Sequence, residues 1–283
     1  MPKPTSAEAA PDDQPVIRSL TNSTIKYVRS LQRRRTRWQE RAFVVEGPRG
    51  VADAFAAGAN PTLLVVREGT TFDLPENPDR SRRAPRRLVV AGPLFDVLAD
   101  TVSPQGVLAV FPFPDVPATP ASAPLHLVLD RLRDPGNVGT LLRTAAGAGV
   151  TAVHLSPESV DPFNPKTVRA AMGAHFRLPI RPLADEDIDN LRETCPLRVV
   201  ADAAGSLPYD ALDWTQPAVL ILGSEAHGAS NTTRHFATQT VGIPLASGVE
   251  SLNAAVAGAV ILFEAARQRR RGHQGGARAP AAS

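Results

Sequence analysis

The sequence predicts an α/β protein of two domains, because short apolar runs alternate with helical patterns and a proline-rich segment divides the alternation. The chain has 283 residues, 43% of them hydrophobic, which is enough for two modest domains with separate cores. Five prolines fall among Ala, Ser and Thr from Phe111 to Pro124, so we place a linker at residues 112–123. Residues 16–111 then form the first domain, and residues 124–270 form the second.

The ends of the chain are predicted to be disordered. Residues 1–15 are rich in Pro, Ala and Asp, and residues 271–283 form a Gly, Ala and Pro run after an arginine cluster. No basic stretch followed by an apolar run marks a signal peptide, and no segment approaches the roughly 20 apolar residues of a membrane span. Together with the single cysteine, Cys195, these features predict a cytoplasmic protein that does not enter membranes.

The first domain is predicted to be a small α/β unit. Its strand-like runs are Phe43–Glu46, Leu63–Val66, Leu88–Val90 and Val107–Val110. Its helical patterns are a basic helix over Ser23–Arg37 with Ser23 as candidate cap, a proline-initiated helix over Pro48–Ala57, and a short helix over Leu94–Leu98.

The second domain is predicted to contain a mainly parallel sheet, because several of its strand-like runs are almost entirely apolar, as in buried parallel strands. These runs are Leu125–Leu129, Ala152–Leu155, Leu197–Ala201, Val219–Leu222 and Val241–Pro244. Helical patterns fill the gaps at Gly139–Ala148, Pro165–Ala174, Glu186–Thr194 and Asn253–Gln268.

Positive charge is concentrated in the first domain, although the formal net charge of the chain is only +3. From Arg18 to Arg41 there are eight Lys or Arg residues against one acid, and a second basic run holds Arg80, Arg82, Arg83, Arg86 and Arg87. Such clusters attract a polyanion, so we expect phosphate contacts from Arg33, Arg34, Arg35 and Arg37. A solvated helix face would also explain the charge.

Three unusual loops follow strands of the second domain. They are Asp130–Arg143, Gly223–Gly228 and Pro244–Asn253. Each loop alone is equally explained as a turn or a helix cap. Because ligands bind beyond the carboxyl ends of parallel strands, however, the loops together predict one site. The polar residues that this arrangement brings to the same sheet edge are Asn137, Arg143, Glu225, Ser251 and Asn253.

Common nucleotide and metal motifs are missing from these loops. Gly136–Gly139 lacks the spacing of the Gly-x-Gly-x-x-Gly fingerprint, and Gly223–Gly228 is not followed by Lys and Ser or Thr as in a P-loop. No His and Cys cluster has zinc-ligand spacing, so no metal is predicted. These observations argue against a nicotinamide enzyme and an ATPase.

The three loops resemble the ordered signature motifs of the SpoU/TrmH group of SPOUT RNA methyltransferases. Residues 134–146 look like the first motif, residues 222–228 like the second, and residues 243–245 with 251–253 like the third. Residues 169–179 also resemble the segment between the first two motifs. The departures are Leu245, Thr140 and the pair Ala254–Ala255, and none of them falls on an expected catalytic position.

The resemblance implies S-adenosylmethionine-dependent methylation of a ribose 2′-hydroxyl of RNA by a homodimer with its site near the subunit interface. It also implies a trefoil knot in the second domain, which no pattern in the residues would predict. The first domain is similar to the substrate-binding module often fused in front, a small L30e-like α/β RNA-binding domain. Its cues are Phe43–Gly47 and Ser103–Gly106.

The resemblance also assigns roles to residues. The cofactor-binding positions it implies are Leu222, Gly223, Ser224, Gly228, Ile243, Pro244 and Leu252. Arg143 matches the family's catalytic arginine; because a guanidinium keeps its proton at neutral pH, we interpret its role as phosphate binding and alkoxide stabilisation. Asn137 and Asn253 would orient Arg143 and the ribose. Glu225 would position Asn137 or the RNA, and Ser251 the substrate.

The target RNA stays open at this point. The additional first domain favours ribosomal RNA, whereas the tRNA enzymes of the family often carry short terminal helices instead. A non-catalytic RNA-binding protein with a degenerate site is a further alternative, and the intact set of Asn137, Arg143, Glu225 and Asn253 argues against it.

Overall fold

A computed structural model describes residues 15–74 and 84–275. The chain separates into two compact units, Met1–Phe113 and Pro114–Ser283. The helical segment that ends the second unit continues to Gly275, so the disordered tail predicted from residue 271 is wrong for residues 271–275. The remainder of both predicted disordered ends lies outside the described residues, as do Arg80, Arg82 and Arg83.

The first unit packs helices against a four-stranded sheet. Its elements in chain order are α1 (Ser23–Ser30), α2 (Arg34–Glu40), β1 (Ala42–Glu46), α3 (Pro48–Ala56), β2 (Leu63–Arg67), β3 (Arg86–Val90), α4 (Gly92–Leu98) and β4 (Val107–Pro112). The strand order is β1-β4-β2-β3, in which β4 runs antiparallel to both neighbours and β2 pairs with β3 in parallel. Buried Ile25, Phe95 and Leu108 join α1, α4 and β4 in one core.

The single basic helix predicted over Ser23–Arg37 is wrong, since the chain forms two helices there. Asn22, rather than Ser23, is the N-cap of α1: its Oδ1 accepts from the backbone N–H of Thr24 at 2.9 Å and of Ile25 at 3.3 Å. The first helix ends at Ser30 and the second starts after Arg33, whose backbone is extended. The uniform charge of the segment concealed this break.

Arg37 has a structural role, so the phosphate contact expected for it is wrong. Its side chain is buried, with 2% of the residue exposed. Nη1 donates to the carbonyl oxygens of Leu31 and Gln32, each at 2.8 Å, and thereby ties α2 to the end of α1. The arginines at 33–35 are exposed and stay candidates for phosphate contact.

The second unit is an α/β layer structure around a seven-stranded sheet. Its elements are β5 (Leu125–Leu129), α5 (Pro135–Ala148), β6 (Ala152–Leu155), α6 (Pro165–Ala171), β7 (Ile180–Pro182), α7 (Asp185–Thr194), β8 (Leu197–Ala201), β9 (Leu207–Pro208), β10 (Ala218–Leu222), α8 (Asn231–Phe236), β11 (Gln239–Gly242) and α9 (Ala254–Gly275). The strand order is β7-β6-β5-β10-β8-β11-β9, and every neighbouring pair is parallel. The α/β class and the parallel sheet are therefore confirmed.

The strand-end geometry of this sheet creates the candidate site. All five residues of β10 are buried between β5 and β8, as its apolar sequence predicts. Helix α5 begins at Pro135 instead of Gly139, because Asp134 caps it by accepting from the backbone N–H of Asn137 at 2.8 Å. Asn137 therefore lies in the first turn of a helix, where its position is fixed, and not in a loop.

No helix in the described part of the chain is long and apolar enough to cross a membrane.

The contrast between Arg37 and the arginines at 33–35 predicts two separable effects. Replacing Arg33, Arg34 and Arg35 by Ala should lower the salt slope of RNA binding by roughly 2, since each phosphate contact on a single strand contributes about −0.7 to the log–log slope. The fold should stay intact, because these side chains are exposed. Binding of an RNA oligonucleotide across a salt series measures the slope.

Arg37→Ala is the matched control. It should leave the salt slope unchanged and lower the free energy of unfolding by about 2–3 kcal/mol, because the carbonyl oxygens of Leu31 and Gln32, one buried and one partly buried, lose a charged donor. An unaltered slope in the triple variant would remove the arginines at 33–35 from the RNA footprint.

Candidate functional site

A cavity of about 440 Å³ lies at the carboxyl ends of β8, β10 and β11, beside the start of α9. This volume falls within the range of small-molecule sites. The lining combines aliphatic walls with a few polar groups, and none of its residues is basic. They are Ala201, Asp202, Ala203, Leu222, Gly223, Ser224, Glu225, Gly228, Val241, Ile243, Leu245, Ser251, Leu252, Asn253, Ala254, Ala257 and Ile261.

A chain of hydrogen bonds beside this cavity joins residues that follow three different strands, β5, β10 and β11. The side-chain Nδ2 of Asn137 donates to Oε1 of Glu225 at 2.7 Å. The Nδ2 of Asn253 donates in turn to Oδ1 of Asn137 at 3.0 Å. The polar residues expected at one sheet edge are thus in direct contact, although the two asparagines are 116 positions apart.

The order of donors and acceptors fixes how the Asn137 amide is oriented. A carboxylate only accepts, so Glu225 must face the NH₂ group of Asn137, and the amide oxygen then faces Asn253. Asn253 is held from the other side, because its Oδ1 accepts from the backbone N–H groups of Ala255 and Val256 and caps α9. The starts of α5 and α9 and the loop that contains Glu225 therefore determine the geometry of this chain of hydrogen bonds.

Gly223 is required by the loop that contains it. A Cβ at this position would lie 2.1 Å from the backbone nitrogen of Ala229 and 2.2 Å from the carbonyl carbon of Gly228. Ser224 and Gly228 close the same loop with two backbone hydrogen bonds, at 3.0 and 2.8 Å. The resemblance implies that Gly223 binds the cofactor; the structure shows that the loop also folds onto itself at this glycine.

Asp202 is a site residue that the sequence reasoning missed. It follows β8, lines the cavity, and forms a salt bridge with Arg234 at 2.6 Å. A hydrogen bond from the backbone N–H of Ala204, followed by the bond from Arg234, lowers the pKa of the Asp202 carboxyl below its usual value. Its position directly after an apolar strand of the sheet was the signal that could have revealed it.

The predicted site residues divide into three groups. Those that line the cavity are Leu222, Gly223, Ser224, Glu225, Gly228, Ile243, Ser251, Leu252 and Asn253. Asn137 does not line the cavity but bonds to two residues that do. Pro244 and Arg143 are not brought to the cavity wall.

Arg143 neither lines the cavity nor joins the hydrogen-bonded chain of Glu225, Asn137 and Asn253. It is exposed on the outer side of α5, and its side chain forms no hydrogen bond or ion pair with any residue in 15–74 or 84–275. The expected catalytic arginine therefore does not line the cavity. Nor do His, Cys, Asp and Glu side chains gather in a group of three or more that could hold a metal ion within those ranges.

Two family models match the two units. Residues 22–109 match the MRM3-like substrate binding domain, and residues 124–263 match the SpoU rRNA Methylase family. An uncharacterised tRNA/rRNA methyltransferase of Synechocystis is 35% identical over 263 residues, covering 89% of this chain and 93% of the relative. The chain belongs to the SpoU rRNA methylase family.

Other members of the SpoU family match along most of their length. The 23S rRNA (guanosine(2553)-2′-O)-methyltransferase of Bacillus subtilis is 29% identical, covering 87% of this chain and 97% of the relative. The AdoMet-bound rRNA methyltransferase from Sinorhizobium meliloti superposes with a TM-score of 0.76 at 32% identity, covering 89% of this chain and 97% of the other. The chain spans 65% of the length of the zebrafish mitochondrial rRNA methyltransferase 3A, at 33% identity over 81% of this chain.

The contact between Asn137 and Glu225 predicts a pH-dependent defect. Asn137→Asp would place two carboxylates together, which raises the pKa of one of them in the folded state. The cost, about 1 kcal/mol, should be present at pH 8, where both are ionised, and should disappear as the pH falls through the raised pKa and one carboxyl takes a proton. Urea unfolding at pH 8 and pH 5 measures it.

The swap variant Asn137→Asp with Glu225→Gln is the control, because it restores a donor facing an acceptor. It should unfold like the wild type at both values of pH. A single variant with the same pH dependence as the wild type would contradict the contact.

Proposed function

We propose that this chain is an S-adenosylmethionine-dependent methyltransferase that acts on a ribose 2′-hydroxyl of ribosomal RNA. The observation that carries the proposal is the hydrogen-bonded chain Glu225–Asn137–Asn253, which joins all three family motifs beside the cavity. Membership of the SpoU family supports the reaction class. The names of the Bacillus and Sinorhizobium relatives support the rRNA substrate, the 2′-oxygen and the cofactor.

The cavity lining fits such a cofactor. Leu222, Ile243 and Leu252 provide aliphatic walls suited to a nucleoside base, and Glu225 provides negative charge suited to a cation. Asp202 is already paired with Arg234, which leaves Glu225 as the carboxylate facing a sulfonium. S-adenosylmethionine would supply a methyl group on that sulfonium for transfer to the 2′-oxygen.

The residues around the cavity divide the work of positioning and charge stabilisation. The fixed amides of Asn137 and Asn253 can orient the ribose, because their own geometry is set before substrate arrives. Ser251 adds a hydroxyl to the cavity wall. Arg143 would bind the RNA phosphate and stabilise the developing alkoxide through the positive charge of its guanidinium.

A homodimer belongs to the same proposal. Val256 and Phe263 on α9 are 49% and 48% exposed, although both are large apolar side chains. A Cβ placed on Gly147 of α5 would lie 3.8 Å from the Phe263 ring, so the two helices form one surface. Arg143 lies one turn before Gly147 and is also exposed. Covering this surface with a second copy would carry Arg143 towards a subunit interface.

The trefoil knot and a cytoplasmic location complete the proposal. The knot is supported by membership of the SpoU family. The single cysteine, which is buried, supports a reducing compartment. A tRNA target is the second candidate, because the name of the Synechocystis relative includes tRNA as well as rRNA.

Methylation of total RNA tests the function. Purified protein and labelled S-adenosylmethionine, incubated with total RNA from cells that lack the gene, should label one ribose in ribosomal RNA, and mapping identifies the nucleotide. Label only in tRNA would select the second candidate, and absence of label with every RNA would contradict the proposal.

Arg143→Ala should abolish this methylation while calorimetry still shows cofactor binding, because Arg143 does not line the cavity. Near wild-type methylation by the variant would show that the role given to Arg143 is wrong.

Phe263→Glu tests the homodimer. Placing a charge at the centre of the apolar α5–α9 surface should shift the sedimentation coefficient from dimer to monomer and abolish methylation. Val102→Glu is the control, since Val102 is a fully exposed apolar residue of the first unit. A wild-type protein that sediments as a monomer would contradict the dimer.

A further inference from the structure

Asp130 contacts both ends of the loop formed by residues 223–229. Its backbone N–H donates to the carbonyl oxygen of Leu222 at 2.9 Å, where the loop begins. Its carboxylate Oδ2 accepts from the backbone N–H of Ser230 at 2.6 Å and from the Thr233 hydroxyl at 2.7 Å, where the loop ends. One residue therefore hydrogen-bonds to the chain at both ends of the loop.

The surroundings of Asp130 make this attachment rigid. The residue is 2% exposed, and a carboxylate with so little access to water depends on its protein donors. Arg131 supplies charge, with Nε 3.7 Å from Oδ1, and its Nη2 reaches the carbonyl oxygen of Gly228 at 3.4 Å.

The backbone at Arg131 is left-handed, with φ of 58°, a conformation that residues other than glycine rarely adopt. The hydroxyl of Ser156 holds it there by accepting from the Arg131 N–H at 2.8 Å. Strain of this kind persists only where the surrounding structure maintains it.

The loop held in this way contains much of the candidate site. Gly223, Ser224, Glu225 and Gly228 line the cavity, and Glu225 orients Asn137. Asp130 itself is outside the cavity lining, and it precedes the first family motif. A displacement of either loop end would move the cavity wall and the acceptor of the Asn137 amide together.

We propose that Asp130 is a positioning residue, which holds the 223–229 loop in its binding geometry before the cofactor arrives. The inference rests on the proposed function for the identity of the cofactor, and on the hydrogen bonds alone for the anchoring of the loop. Preorganisation of this kind reduces the ordering cost that binding would otherwise carry.

A graded pair of variants tests the proposal in the full-length protein. Asp130→Ala removes both accepted bonds and should weaken S-adenosylmethionine binding about tenfold or more, with faster amide hydrogen exchange across residues 223–230. Asp130→Asn keeps an oxygen acceptor facing Ser230 and Thr233, and its affinity should stay within about threefold of wild type.

Asp161→Ala is the matched control. Asp161 is another buried aspartate of the second unit, 4% exposed, and it does not line the cavity. This variant should lose thermal stability and keep wild-type cofactor affinity and wild-type exchange in the loop. It therefore separates general destabilisation from positioning.

Thr233→Val decides the question if Asp130→Ala fails to fold. The change keeps the side-chain shape, removes one bond to Asp130, and should weaken binding by a few-fold. In an Asp130→Ala background it should have a smaller effect, because the bond shared with Asp130 is already absent and only the bonds of the Thr233 hydroxyl to Ser230 remain to be lost.

Wild-type affinity and wild-type loop exchange in Asp130→Ala and Thr233→Val, with only a lower melting temperature, would overturn the proposal. A wild-type protein that binds no S-adenosylmethionine would overturn the proposed function instead. In that case the exchange measurement still determines whether Asp130 anchors the loop.

Discussion

The parallel pairing of β10 with β5 on one side and β8 on the other is the constraint on which the rest of the second unit depends. Parallel strands end at the same edge of a sheet, so the segments after β5, β8 and β10 meet there, joined by the segment after β11. Residues as distant in sequence as Asp130, after β5, and Asn253, after β11, are brought to the same edge of the sheet for this reason. Every polar contact described at the site presupposes that strand order.

A second constraint is that the polar side chains beside the cavity have few alternative hydrogen-bond partners. Asn137 and Asn253 each lie at the start of a helix. The side-chain oxygen of Asn253 caps α9 and its NH₂ group donates to Asn137, whose own side-chain NH₂ group donates to Glu225. Glu225 completes the chain with a group that only accepts. Such a network is satisfied in one arrangement, which favours a site formed in advance over one assembled by the ligand.

How much of this was predictable differs from one residue to the next. Long apolar runs predicted β5 and β10, and the strand-end rule predicted that Asn137, Glu225 and Asn253 would meet. Local sequence could not predict that Arg37 is buried, since charge pattern does not report tertiary contacts. It also missed β9, a strand of two residues, and α8, whose sequence is mostly polar. Asp202 escaped because a single carboxylate after a strand matches no motif.

The distance along the chain between β5 and its partner β10 has a consequence for biosynthesis. The strand that completes the centre of the sheet leaves the ribosome only after some ninety residues have followed β5, and α9 emerges later still. The first unit is already complete when β5 appears, and its pairings need no later segment. The nascent chain therefore acquires its basic, arginine-bearing surface well before its cavity, and the apolar strand β5 must wait with one edge unpaired until β10 emerges.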